Sequence, residues 1–135
     1  MTDYDILIIG GGLVGAAAAV ALKQQGRDVA LLEIRPPETD FSKLEQGWDA
    51  RIFAISPANQ ALLASLNAWP SESRIQAVAK MDVRGDNGGR IEFHAADIPA
   101  PRLTAIAENR WLLAALWQQV HALNIPVITD AADAL

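Results

Sequence analysis

Apolar and polar positions fall into blocks along the chain, and the first block is the most regular. Ile6 to Ile9 form an unbroken apolar run with the length of a fully buried strand. Leu13 to Gln25 is dominated by alanine and leucine and predicts a helix, with Gly26 placed to end it in the left-handed conformation. Val29 to Leu32 then reads as a second buried strand, closing on the acid Glu33. Together these segments make a βαβ unit.

The pattern breaks after Glu33. Residues 34–49 hold two adjacent prolines, several charges and no apolar period, so they predict a long connection. Periodicity returns at Ser56, a helix cap followed by Pro57 at the first helical position, with Leu62, Leu63 and Leu66 on one face of a helix reaching about Asn67. Met81 and Val83 alternate with polar residues, as do Ile91 and Phe93 beyond the turn Gly85–Gly89, which predicts a hairpin with one apolar face in need of cover. A short strand in Thr104 to Asn109 leads into a helix with Leu112, Leu116, Val120 and Leu123 at helical spacing, and Ile125 to Thr129 is a further short strand. The expected fold class is α/β, a Rossmann-like sheet with part of a β-hairpin subdomain. Residues of about 1–70 and 105–135 are expected to form the nucleotide-binding part and about 76–104 the start of a second sheet. A one-faced hairpin and a sheet ending so near the last residue lead us to expect the N-terminal part of a longer protein.

Composition narrows the function classes. The 135 residues suit one domain, and 51% hydrophobic residues can fill a core. A net charge of −5 without clustered Lys and Arg argues against nucleic acid. With no cysteine, disulfides, thiolate nucleophiles and Cys-based zinc sites are excluded. The acidic start leads straight into a strand, and the longest apolar run, Ala16 to Leu22, is far short of the roughly 20 residues of a membrane span. The expectation is a cytoplasmic protein, with peripheral docking on the inner membrane left open.

The candidate chemistry lies between the first strand and helix. Gly10, Gly12 and Gly15 fit G-x-G-x-x-G, a spacing that is weak alone and strong within a complete βαβ unit. Gly10 would turn the strand, Gly12 would admit a pyrophosphate to the main chain at the helix start with Leu13 and Val14, and Gly15 would allow tight helix–strand packing. Glu33, with Ile34 after it, sits about 20 residues on, where a carboxylate accepts ribose hydroxyls and repels a 2′-phosphate. That restricts the ligand to NAD or FAD and leaves the choice open. Arg51 offers planar donors to pyrophosphate or ribose, or pairs with Asp49.

Four segments in this order resemble the N-terminal third of the ubiquinone-biosynthesis flavin hydroxylases, within the aromatic-ring monooxygenases similar to para-hydroxybenzoate hydroxylase. They are Asp5–Glu33, Trp48–Leu63, Met81–Ala95 and Glu108–Val120, and the most specific motifs are D-x-R-x-x-A-x-S at Asp49–Ser56 and E-N-R at Glu108–Arg110. The resemblance implies FAD on Gly10, Gly12, Leu13, Val14, Gly15, Glu33 and Ile34, Arg51 at the ribose-pyrophosphate region and Arg110 on the cofactor's other flank. It also implies an FAD-dependent monooxygenase reduced by NAD(P)H and acting on a phenolic or polyprenylated small molecule, with other ubiquinone-biosynthesis proteins as partners. Two later flavin motifs of that family lie beyond Thr129–Leu135, so this length of chain is expected to bind FAD weakly and not to turn over; no catalytic residue is assigned. The alternative is an NAD-binding dehydrogenase domain or a non-catalytic nucleotide-binding module.

Other candidates are weaker. His94 and His121 have no partner at metal spacing, so no metal site is expected. Trp69, Trp111 and Trp117 read as core, Trp48 lies beside the proposed cofactor segment, and no G-x-S-x-G elbow is present.

Overall fold

The structure, a computed structural model, describes residues 3–130. The first two residues, part of the acidic start, and residues 131–135, the end of the nucleotide-binding part expected over about 105–135, lie outside the described residues. The βαβ unit forms as its pattern predicts: β1 (Ile6–Ile9), α1 (Leu13–Gln24) and β2 (Val29–Leu32), with Gly26 at φ +81° just past the helix. β1 and β2 pair in parallel, Ile6 opposite Val29 through Ile9 opposite Leu32.

The third strand of this sheet comes from the far end of the chain. Helix α4 (Asn109–Ala122) leads to β8 (Val127–Ile128), which pairs in parallel with β2 to give the order β1-β2-β8. β8 keeps two of the five residues expected of it, since Pro126 cannot donate to a ladder. Ala16, Ala19 and Val20 of α1, Val29 and Leu31 of β2, and Leu116, Trp117 and Val120 of α4 share one core. Both helices therefore cover one face of the sheet. The other face is bare at β1, where Leu7 and Ile9 are 37% and 78% exposed, so β1 is a one-sided strand and not the fully buried one its sequence suggests.

The connection after β2 contains a four-residue helix, α2 (Phe41–Leu44), capped by the Asp40 carboxylate, which accepts from the Ser42 N–H. Its only strong local signal is that cap. β3 (Ile52–Ile55) and β4 (Ile75–Val78) flank β7 (Thr104–Glu108) in an antiparallel sheet. β7 was expected; β3 and β4 carry no alternation of their own and were not. Between them runs α3 (Pro57–Ser65), whose Ser56 hydroxyl accepts from the Asn59 N–H. It stops two residues short of expectation, where Asn67 turns the chain at φ +56°.

β4 passes through Ala79 into the hairpin of β5 (Lys80–Arg84) and β6 (Arg90–His94), with Met81 opposite Phe93 and Val83 opposite Ile91. The apolar face is as predicted, but its four side chains are 40–58% exposed, with no cover among the described residues.

Candidate functional site

The turn between β1 and α1 is built by glycines with different tasks. Gly10 turns the strand at φ +97°, a conformation that side chains disfavour. At Gly15 a Cβ would lie 1.9 Å from the Gly10 carbonyl oxygen, so only hydrogen fits where helix meets strand. At Gly12 an added Cβ would meet nothing within 4 Å. Gly12 is also the N-cap of α1, without a side-chain cap, and the first helical bond runs from Ala16 N–H to Gly12 O. The N–H groups of Leu13, Val14 and Gly15 thus face the open space at Gly12 with the positive end of the helix dipole behind them. Val14 is 85% exposed there. This opening fits a diphosphate.

Gly11, a position the motif leaves free, is also confined. Its carbonyl accepts from the buried Trp117 indole N–H at 2.8 Å, and a Cβ on it would come within 2.5 Å of the indole ring. Its N–H donates to Glu33 Oε2 at 2.8 Å, while Arg35 N–H donates to Glu33 Oε1 at 2.9 Å. Glu33 is thereby fixed beside the turn, and each oxygen keeps a second lone pair for a ribose hydroxyl. Ile34 is exposed next to it. Trp117 is core, as expected; its task as a brace for the loop has no local signal in the sequence.

The D-x-R and E-N-R motifs meet around a buried ion pair. Arg74 and Glu108, with side chains 8% and 5% exposed, approach to 2.8 Å. Arg74 Nη1 and Nη2 donate to the Leu44 and Gly47 carbonyls at 3.0 and 2.8 Å, and its guanidinium lies 3.8 Å from the centre of the Trp48 ring. Glu108 Oε2 accepts from Asp49 N–H and from Arg110 Nε. The Asp49 carboxylate accepts from the main-chain N–H groups of Arg51 and Arg110, at 3.0 and 3.2 Å. Those bonds, Arg51 first, hold the Asp49 carboxyl below its usual range against the opposing effect of burial.

Two of the arginines singled out from sequence therefore fare differently. Arg110 Nη2 donates to the Leu44 carbonyl at 2.8 Å, so part of its guanidinium is committed to holding the connection. Arg51 is exposed; the Asp49 carboxylate accepts from its main-chain N–H, and the charge of its guanidinium acts more weakly on the same carboxylate. Its strand ends beside the glycine turn: Ile55 and Asn59 line one apolar groove of about 420 Å³ with Leu13 and Val14. Arg51 is four residues earlier, about 13 Å along an extended strand. The His94 ring lies 3.4 Å from the Glu92 carboxylate, and no group of side chains suited to a metal occurs among the described residues.

Comparison with known proteins bears on the choice of dinucleotide. Residues 5–48, which hold the whole glycine turn and Glu33, match the family described as FAD dependent oxidoreductase. The chain is 33% identical over 120 residues to the 3-demethoxyubiquinol 3-hydroxylase of Escherichia coli (strain K12), covering 87% of this chain and 30% of that protein. It is 38% identical over 130 residues to the mitochondrial ubiquinone biosynthesis monooxygenase COQ6 of Homo sapiens, covering 91% and 27%. The chain is a relative of the ubiquinone-biosynthesis hydroxylases. It spans under a third of the length of these curated relatives. A tetrameric 2-methyl-3-hydroxypyridine-5-carboxylic acid oxygenase superposes with a TM-score of 0.67 at 21% identity, over 92% of this chain and 31% of that one, which shows a shared fold. Between NAD and FAD, the family match decides for FAD. No helix among the described residues is long and apolar enough to cross a membrane.

Proposed function

We propose that the chain is the N-terminal, FAD-binding part of a flavin monooxygenase that hydroxylates a phenolic, polyprenylated ring in ubiquinone biosynthesis. The observation that carries the reading is the uncapped glycine turn, open at Gly12 and closed at Gly11 and Gly15, with Glu33 fixed at its side. The N–H groups of Leu13 to Gly15 hold the pyrophosphate, and Glu33 accepts the adenosine ribose hydroxyls with Ile34 alongside. Arg51 supplies the free cation for the ribose-pyrophosphate region, and Arg110 contributes through the segment it braces. When bound, FAD supplies the redox chemistry, taking reducing equivalents from NAD(P)H and passing them to oxygen.

Residues of about 1–70 and 105–135 form the nucleotide-binding part in this reading, and about 76–104 begin the substrate sheet. The bare hairpin face and the bare face of β1 leave the flavin end unenclosed, and oxygen chemistry on a flavin needs a dry, closed site. In this reading these 135 residues alone bind FAD weakly and do not turn over. The whole protein would meet its polyprenylated substrate at the inner membrane surface, with other ubiquinone-biosynthesis proteins as partners.

Titration with FAD, followed by flavin fluorescence, tests the reading. Gly12→Val should abolish binding with the circular dichroism spectrum intact, because its Cβ meets no protein atom within 4 Å and its methyls would occupy the diphosphate space. Glu33→Arg should weaken binding. Unchanged affinity in both variants would place the cofactor elsewhere, and affinity for NAD without affinity for FAD would favour a dehydrogenase module.

A further inference from the structure

Arg74, which lies outside both the glycine and the arginine motifs, ties down the connection that leads to Arg51. We propose that Arg74 is a positioning residue for Arg51, acting through the Trp48–Arg51 segment; the proposal rests on the FAD-binding reading above. Three observations support it. First, one planar guanidinium gathers two carbonyls of the incoming connection, those of Leu44 and Gly47, and stacks on Trp48. That fork geometry is available to arginine and not to lysine. Second, a continuous chain of contacts runs from Arg74 to Glu108, from Glu108 to Asp49 N–H, and from the Asp49 carboxylate to Arg51 N–H. Third, the Arg51 main chain is held on both sides, its N–H by Asp49 and its carbonyl by Asn109 N–H at 2.9 Å, while its side chain is exposed.

Burial explains why the arrangement is rigid. Arg74 and Glu108 are desolvated, so neither can leave without stranding the other's charge. Trp48, by contrast, is 80% exposed and contributes almost nothing to the core. Its ring covers the Arg74 guanidinium instead, which shields the two carbonyl bonds from water. The result is a preformed loop start, with the entropy of ordering Trp48–Arg51 already met before any cofactor arrives.

The test uses the whole chain and reads site-resolved proteolysis and FAD affinity beside the thermal midpoint. Arg74→Lys keeps a charge opposite Glu108 but cannot span both carbonyls; Arg74→Met with Glu108→Gln removes the pair without leaving a buried charge. Both should speed tryptic cleavage at Lys43 and Arg51 and weaken FAD binding by about tenfold, the scale of one charge-assisted hydrogen bond. Because Arg74→Lys keeps the buried charge paired, its thermal midpoint should fall less than that of Arg74→Met alone. The decisive measurement is a cycle with Arg51→Met: the loss it causes should shrink in the Arg74→Lys background, because a mispositioned cation has less to lose. Additive losses, or cleavage and affinity unchanged in both Arg74 variants, would overturn the proposal while leaving the glycine-turn reading intact. A wild-type chain with no affinity for FAD would remove both.

Discussion

Replacing Gly15 by alanine should unfold the nucleotide site from within, and the cost can be worked out. The new methyl would sit 1.9 Å from the Gly10 carbonyl oxygen and 3.1 Å from the Gly10 carbonyl carbon, both main-chain atoms, and 3.4 Å from Ile8 Cγ2. An ordinary carbon–oxygen contact is well over an ångström longer, so α1 must move off β1 rather than a side chain yield. Such overpacking belongs near the top of the range of about 1–3 kcal/mol. Alanine regains about 1 kcal/mol of helix propensity. The net loss is about 2 kcal/mol, which at a urea m-value of about 1–3 kcal/mol/M lowers the unfolding midpoint by about 1 M. Urea titration by circular dichroism reads this directly. Gly12→Ala is the control: its methyl meets nothing within 4 Å, and the poorer N-cap costs less than about 1 kcal/mol. Equal midpoints for Gly15→Ala and Gly12→Ala would refute the division of labour among the glycines.

Two further outcomes follow from other contacts. Trp117→Phe strands the buried Gly11 carbonyl, so stability should fall by about 1–3 kcal/mol and FAD affinity should fall with it; loss of neither would mean the indole is filler. Arg102, and to a lesser degree Trp69, hold the Glu72 carboxyl down to about 2 by hydrogen bonding. A depressed carboxylate stabilises the fold fully above its unfolded value of 4.5 and loses that contribution as pH falls towards 2. Because Glu72 is half exposed, the contribution is that of a surface pair, about 0.2–1 kcal/mol. Carboxyl NMR should place its midpoint near 2 in the wild type and clearly higher in Arg102→Met, where only the Trp69 indole still holds it below the ordinary value.

The first βαβ unit is legible in sequence because each of its parts speaks locally. An isoleucine run, an alanine helix and a glycine at the helix end need no distant partner to be recognised, and the hairpin announces itself by alternation. β3 and β4 are four residues each and owe their existence to β7, which lies between them in space and far along the chain. β1 looked buried because apolar residues mark both its faces, whereas burial of one face depends on what packs there. Arg74 was invisible for a related reason. A lone arginine after Ser-Glu-Ser reads as surface, and only the fold shows that Glu108 and two carbonyls converge on it. The motif residues Asp49, Glu108 and Arg110 were found as a pattern, but their task of tying three segments together is a property of the folded chain.

The bond from Trp117 to Gly11 joins residues 106 positions apart in a chain of 135. On the ribosome, the glycine turn therefore leaves the exit tunnel long before its brace has been synthesised. A contact of such sequence separation closes late and at an entropic cost. The glycine turn, though made early, therefore waits for the emergence of residue 117 before its brace can close.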